Sequence, residues 1–172
     1  MVDALDKTAD ARRVLVVDDN THIHDDFRKI LAAEVEPDAE LATLATRLFG
    51  DAGTTNRRGA FDVDSASQGR EGLKCVTAAM SESRPYSIAF IDMRMPPGWN
   101  GVETAAEVWK ADPDIQLVIC TAYSDFSWAE VVATLGETDK LHLLRKPFQP
   151  IQVRKLATVL AQKWARLAKQ RR

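Results

Sequence analysis

A short apolar run at residues 88–91 ends in a single carboxylate, Asp92. Pro85 precedes the run, and two prolines and a glycine follow at positions 96–98, so turn-forming residues bound it on both sides. This pattern is typical of a strand that is buried on both faces of a parallel sheet. Because ligands bind at the carboxyl ends of the strands in such sheets, we predict that Asp92 lies at a functional edge.

Four other segments also have strand patterns. Residues 13–19 form a second apolar run, which ends in Asp18 and Asp19. Residues 115–121 end in Thr121, and residues 141–144 lead into Lys146. Residues 61–65 alternate apolar and polar side chains, which is typical of an edge strand. Polar groups therefore end or follow four of the five predicted strands.

Segments with helical periodicity separate these strands. Predicted helices cover residues 23–33, 68–81, 101–110 and 128–135, and a last helix begins near Pro150 and continues to the end of the sequence. In the second helix, Leu73, Val76 and Met80 are predicted to face inward. Strands that alternate with helices predict an α/β fold, with a doubly wound, five-stranded, mostly parallel sheet and right-handed crossovers.

The segment at residues 34–60 is longer than the connections that usually join a helix to a strand, so we predict an insertion with a helix of its own. Its apolar stripe consists of Leu41, Leu44, Ala45, Leu48 and Phe49. The stripe is predicted to pack on its own domain; the alternative is a surface that binds a partner.

Composition excludes several classes of protein. With 45% hydrophobic residues, 28% charged residues and a formal net charge of -2, the chain resembles an ordinary globular protein and gives no support for direct nucleic-acid binding. No run approaches the roughly 18 apolar residues of a membrane helix, and no signal peptide is recognisable. We therefore expect a cytoplasmic protein, with Cys75 and Cys120 as reduced core residues.

The polar residues at the strand ends suit one kind of chemistry. Carboxylates that crowd together resist ionising together, so Asp18, Asp19 and Asp92 predict a divalent cation site, for which Mg²⁺ is the best candidate. Lys146 then offers a positive charge to phosphate oxygens, and Thr121 a hydroxyl donor. Asp92, alone on its strand, is predicted to attack phosphorus and to form an aspartyl phosphate.

These motifs resemble the receiver domain of two-component response regulators. The matching segments are residues 14–19 (VLVVDD), 91–96 (IDMRMP) with Asn100 and Gly101, Thr121 with Ala122, and 146–148 (KPF). The resemblance spans about residues 12–164 and implies a flavodoxin-like receiver at 12–160, which contains the 34–60 insertion. Residues 1–11 form a polar leader, and residues 161–172 form a basic extension of the last helix, a possible linker to an output module.

The resemblance also implies roles for the site residues. Asp92 is the phosphoacceptor, Asp18 and Asp19 bind Mg²⁺ with Asp92 and the backbone carbonyl of Arg94, and Thr121 and Lys146 bind the phosphoryl group. The donor is a sensor histidine kinase or a phosphotransfer protein. Because the last helix stays amphipathic and ends basic, a fused C-terminal output module or a homodimer is expected, and a stand-alone regulator is the alternative. Such a domain is a phosphorylation-dependent switch, whose only reactions are phosphoryl transfer to itself and slow autodephosphorylation.

The sequence departs from the receiver pattern in three places. The turn at residues 95–101 carries an extra residue, the 34–60 insertion is unusual, and Leu143 replaces the aromatic residue that usually lies three positions before the lysine. Tyr123 and His142 are the candidates to substitute for that aromatic residue in relaying activation.

An alternative function is that of a phosphohydrolase or phosphotransferase of the haloacid dehalogenase type, which also uses an aspartyl nucleophile and Mg²⁺. Those enzymes place a second aspartate two residues after the first, where this chain has Arg94. A flavodoxin is disfavoured because no Ser/Thr/Gly-rich phosphate loop follows the first strand.

Four other side chains have interpretations from the sequence. His22 and His24, next to Asp18 and Asp19, could suggest a transition-metal site, but residues two apart on a helix face different ways. Both histidines are therefore predicted to be solvated or to cap the first helix. Trp99 is a candidate for partner contact. Trp128 is predicted to pack in the core.

Overall fold

The computed structural model describes residues 11–32, 60–122 and 127–170. Five strands and five helices alternate through these residues. In chain order they are β1 (Arg13–Val17), α1 (Thr21–Ala32), β2 (Asp62–Ala66), α2 (Gly69–Ser81), β3 (Ile88–Asp92), α3 (Gly101–Ala111), β4 (Gln116–Thr121), α4 (Trp128–Leu135), β5 (Leu141–Arg145) and α5 (Pro150–Gln170).

The strands form one parallel sheet in the order β2-β1-β3-β4-β5. The strand β1 has β2 on one side and β3 on the other, so the order in which strands are added to the sheet changes direction at β1. Every residue of β1, β3 and β4 is buried, whereas β2 has only one buried residue, Ala66. The predicted α/β class, the parallel sheet and the position of β2 at an edge are therefore confirmed.

Helices cover both faces of the sheet and create two apolar layers. One layer contains the inward residues of α2, α3 and α4, namely Val76, Ala79, Val102, Ala105, Val108 and Val131. The other layer contains the inward residues of α1 and α5, namely Phe27, Leu31, Val153, Ala157, Leu160 and Ala161. Since side chains alternate between the faces of each strand, a strand residue supplies one layer and its neighbour the other.

The boundaries of α1 and β2 differ slightly from their predictions. The helix α1 begins at Thr21 because the side-chain oxygen of Asn20 accepts the backbone N–H of His22 at 3.0 Å and thereby caps the first turn. The strand β2 runs one residue later than predicted, from Asp62 to Ala66.

Two predictions about the core were wrong. Met80 is 40% exposed, because it does not lie on the buried face of α2. That face consists of Gly69, Gly72, Val76 and Ala79. Trp128 is 41% exposed, since it begins α4, and Val131 is the buried residue of that helix.

Several predicted features lie outside the described residues. These are the leader at residues 1–10, the insertion through residue 59 with its apolar stripe, Tyr123, and the last two arginines. None of the helices in the described ranges combines the length and apolar composition needed to cross a bilayer.

Candidate functional site

The carboxyl edge of the sheet brings three carboxylates together. Asp18 and Asp19 follow β1 directly, and Asp92 is the last residue of the neighbouring strand β3. One carboxylate oxygen from each of the three residues lies within 4.8 Å of those from the other two. Asp18 and Asp92 are buried, whereas Asp19 is exposed, so the cluster opens to solvent on the side of Asp19.

Lys146 joins this cluster from the end of β5. Its Nζ lies 3.0 Å from Asp92 Oδ1 and 3.3 Å from Asp18 Oδ2. The backbone N–H of Lys146 donates to the carbonyl of Thr121 at 2.8 Å, which fixes the end of β5 beside the end of β4. The lysine therefore pairs with two carboxylates that come from different strands.

Burial and neighbouring charges both shift the pKa values of Asp92 and Lys146. Burial raises the pKa of Asp92, and the charges of Asp18 and Asp19 raise it further, although Lys146 opposes them. Burial lowers the pKa of Lys146, but its hydrogen bonds to Asp92 and Asp18 outweigh this effect and raise the pKa. One ammonium group thus faces three carboxylates, and the excess of negative charge favours a bound cation.

The chemistry of these donors fits Mg²⁺. It prefers oxygen ligands, keeps several waters, and binds through one or two carboxylates together with phosphate. Asp18, Asp19 and Asp92 supply such oxygens at an edge that is open to solvent. In the described part of the chain, no other group of three His, Cys, Asp or Glu side chains is close enough to hold a metal ion. Arg94 lies in the turn after β3 with its side chain exposed, and the role of its carbonyl stays a prediction.

Thr121 ends β4 next to this cluster and is buried. Its Oγ1 donates to the carbonyl oxygen of Ala122 at 3.0 Å. Its hydroxyl hydrogen is therefore engaged with the backbone, and a rotation about its side-chain bond would be needed to donate to a phosphoryl oxygen.

The turn after Asp92 is held tightly to the start of α3. Asn100 accepts the backbone N–H of Glu103, and Glu103 accepts the N–H of Asn100, each at 2.9 Å, which is a capping box. The backbone N–H of Gly101 donates to the carbonyl of Met93 at 2.9 Å. A Cβ atom at Gly101 would lie 2.7 Å from the carbonyl oxygen of Asp92, so only glycine allows this close approach.

The sequence interpretation missed the position of His24. His22 is exposed as expected, but His24 is buried, and its Nε2 lies 2.7 Å from the carbonyl oxygen of Asp18. A signal was present, because His24, Phe27 and Leu31 have the spacing of one helix face and all three are buried.

Other singled-out residues lie at the margins of the site. Trp99 is half-buried, and the guanidinium of Arg70 lies 4.8 Å from the centre of its indole ring, so α2 contacts the extended β3–α3 turn. Leu143 is half-buried against the apolar layer of α2, α3 and α4. His142 points to the opposite face, where its Nε2 lies 3.4 Å from Gln116 Oε1. Cys75 and Cys120 are free thiols; Cys120 is buried, whereas Cys75 is half-buried.

The model of the response regulator receiver domain matches residues 35–158, which is well over half of the chain. The chain therefore belongs to the receiver domain family of two-component response regulators. The matched range begins after β1 and α1 and therefore does not include Asp18 and Asp19. The evidence that these two residues lie beside Asp92 is their position in the structure.

Solved structures with the same fold are numerous. An adenylate cyclase from Rhodopirellula baltica has a TM-score of 0.62 and 22% identity, with 93% of this chain and 94% of that chain covered. A CheY-like receiver domain protein from Methanospirillum hungatei has a TM-score of 0.62 and 20% identity, with 90% and 97% covered. NtrX from Brucella abortus has a TM-score of 0.61 and 18% identity, with 93% of this chain but 29% of that chain covered. Among curated protein sequences, no significant match is found.

Proposed function

We propose that this domain is a phosphorylation-dependent signalling switch in which Asp92 accepts a phosphoryl group from a sensor histidine kinase or a phosphotransfer protein. The observation that carries the proposal is the contact of Lys146 with Asp92 and Asp18 beside Asp19, at the carboxyl edge of a receiver fold. A histidine is not needed for acid or base catalysis, because phosphoryl transfer depends mainly on alignment and on neutralising charge.

Each residue has a distinct part in the proposed transfer. Asp18, Asp19 and Asp92, with the backbone carbonyl of Arg94, would hold Mg²⁺, and the ion would supply positive charge to the transferring group. A carboxylate oxygen of Asp92 forms the new bond to phosphorus while the bond from phosphorus to the donor imidazole breaks. Lys146 offers its ammonium group to the phosphoryl oxygens, and the Thr121 hydroxyl turns from Ala122 towards them.

Phosphorylation would change the contacts of Lys146 and Thr121, and this change is the proposed signal. Lys146 now donates to the Asp92 carboxylate, and Thr121 donates to the Ala122 carbonyl. In the phosphorylated domain, both would donate to phosphoryl oxygens instead. Because Leu143 is aliphatic, the usual inward rotation of an aromatic residue cannot relay the change. We assign the relay to altered surface contacts of the domain.

The proposed organisation is a receiver at residues 12–160 with the basic end of α5 as a link. The helix α5 continues without a break to Gln170, and Lys163, Arg166 and Lys169 lie in its last turns. The match to less than a third of NtrX is consistent with a receiver that is part of a longer protein. We propose that the basic end of α5 connects to a fused output module or forms the contact of a homodimer, in the cytoplasm.

Incubation with acetyl phosphate and Mg²⁺, followed by intact mass measurement, tests the proposal. We expect a gain of one phosphoryl group that is absent without Mg²⁺ and absent in Asp92→Asn. No adduct with any small donor would refute it. Steady release of phosphate from several organic esters would instead indicate a hydrolase, which the arginine at position 94 argues against.

A further inference from the structure

A buried imidazole contacts the turn that carries two of the three clustered carboxylates. His24 lies in α1, is 5% exposed, and has its Nε2 at 2.7 Å from the carbonyl oxygen of Asp18. A carbonyl oxygen can only accept a hydrogen bond, so Nε2 carries the hydrogen and donates it. Two buried polar groups from different segments of the chain thereby satisfy each other.

The carbonyl that His24 holds belongs to the peptide group between Asp18 and Asp19. This group is planar, so a rotation of its plane changes the direction in which both side chains leave the backbone. Two other hydrogen bonds act on the same turn: Asp18 N–H donates to the carbonyl of Ala66 at 3.1 Å, and Asn20 N–H donates to Asp18 Oδ1 at 2.8 Å. These bonds hold the N–H and the carboxylate of Asp18, whereas His24 holds its carbonyl.

We infer that His24 is a positioning residue for cation binding, because its Nε2–H fixes the Asp18–Asp19 peptide so that both carboxylates face Asp92. The inference rests on the proposed function, since it assumes that the carboxylates bind Mg²⁺. Asp19 benefits most, because its exposed side chain has little packing to hold it and its position follows from the backbone.

If His24 served only to pack the core, different side chains could replace it. The next inward residues of α1, Phe27 and Leu31, are apolar and pack on the sheet. If His24 only filled space, an apolar side chain of similar volume would serve equally well. If the donor matters, a glutamine, whose amide also carries an Nε2–H donor, should serve better than an apolar residue.

Isothermal titration of Mg²⁺ into the intact chain and three variants separates these roles. His24→Leu removes the donor, His24→Gln keeps one, and Leu31→Val loosens the same helix away from the turn. Partners that orient metal ligands usually contribute 10- to 100-fold to affinity, so we expect His24→Leu to weaken Mg²⁺ binding by about tenfold. We expect His24→Gln to stay within about threefold of the wild type, and Leu31→Val to bind as the wild type does.

Urea unfolding of the same variants measures their stability independently of the metal. If His24→Leu does not fold, His24→Asn, whose shorter amide cannot reach the carbonyl, takes its place. A loss of Mg²⁺ affinity below about threefold in these donor-removing variants overturns the inference, as does an equal loss in His24→Gln or Leu31→Val. Failure of the wild type to bind Mg²⁺ would refute the proposed function itself. A normal Mg²⁺ affinity in His24→Leu would overturn only the role of His24 and leave the proposed function intact.

Discussion

Lys146 Nζ lies 3.0 Å from Asp92 Oδ1, although 54 residues separate the two in the chain. The parallel direction of the strands explains this contact, because it brings every strand's carboxyl end to the same edge of the sheet. The charges at this contact do not cancel, because the same ammonium group also lies 3.3 Å from Asp18, and Asp19 is nearby. A site that keeps excess negative charge is suited to bind a cation and then a phosphoryl group.

Replacing Lys146 with alanine should preserve folding but slow phosphorylation. The ammonium group lies 3.0 Å from the acceptor carboxylate, so its loss removes a positive charge beside the transferring group. We expect the transfer of the phosphoryl group from acetyl phosphate to be at least about tenfold slower. Intact mass measured over time gives the rate, and circular dichroism checks the fold. Lys140→Ala is a matched control, because Lys140 pairs with Asp114 at 3.6 Å near the amino end of β5, away from the site. Equal rates in Lys146→Ala and the wild type would contradict this role.

Asp92→Asn should stabilise the protein in the absence of Mg²⁺. Burial disfavours the charged form of Asp92 and raises its pKa, and repulsion from Asp18 and Asp19 adds to this effect. Removing the charge relieves both, although the attraction of Lys146 is lost. We expect the free energy of unfolding in urea to rise by an amount on the order of 1 kcal/mol at neutral pH. Saturating Mg²⁺ should shrink or reverse the difference, because it stabilises the wild type by binding its folded state. Asp26→Asn, on the exposed surface of α1, should show neither effect.

Gly101→Ala should damage both stability and the site. The added Cβ would lie 2.7 Å from the carbonyl oxygen of Asp92 and 2.9 Å from Met93 Cα, and both are backbone atoms that cannot move independently of β3. We expect a loss of about 1–3 kcal/mol in the free energy of unfolding. At Gly98 the added Cβ would meet Gln68 Oε1 at 2.6 Å, the end of a side chain that can turn away. Urea unfolding should therefore show a much smaller loss for Gly98→Ala, and similar losses would contradict this explanation.

Acidification should destabilise the fold through His142. Burial lowers the pKa of His142, and the positive charge of Lys163 lowers it further, although Asp139 opposes this. A folded pKa below the unfolded value of about 6.5 means that the neutral form is preferred in the fold. The contribution of His142 is then present above pH 6.5 and is lost as pH falls from 6.5 through the folded pKa.

Urea midpoints at pH 7.5 and pH 5 for the wild type and His142→Gln measure this contribution. Other groups titrate in both proteins, so the difference between their two pH responses isolates the histidine. The wild type should lose more stability on acidification than His142→Gln does. Equal losses would mean that His142 is as easily protonated in the folded state as in the unfolded state.

Strand ends could be predicted from the sequence because they depend on local features. Asp92 and Thr121 each follow a buried apolar run, and a parallel sheet collects such ends regardless of the details of the connections. Helix faces were harder to predict. In α2 the largest apolar residues suggested that Met80 faces inward, but the buried face contains two glycines that allow close packing on the sheet and on α3.

The finer contacts of the site depend on distant parts of the chain. The hydrogen bond from His24 to Asp18 needs the exact path of the turn between β1 and α1, which the spacing of polar residues does not reveal. The bonds from Lys146 to Asp18 and from Thr121 to Ala122 likewise follow from the tertiary arrangement.

Asp92 itself is the residue that we propose carries the phosphoryl group. Borohydride reduces an aspartyl phosphate to homoserine, so treatment after phosphorylation with acetyl phosphate and Mg²⁺ labels the acceptor for peptide mass spectrometry. We expect homoserine at position 92 in the wild type, dependent on Mg²⁺, and none in Asp92→Asn. Homoserine at Asp18 or Asp19 with none at position 92 would contradict the account.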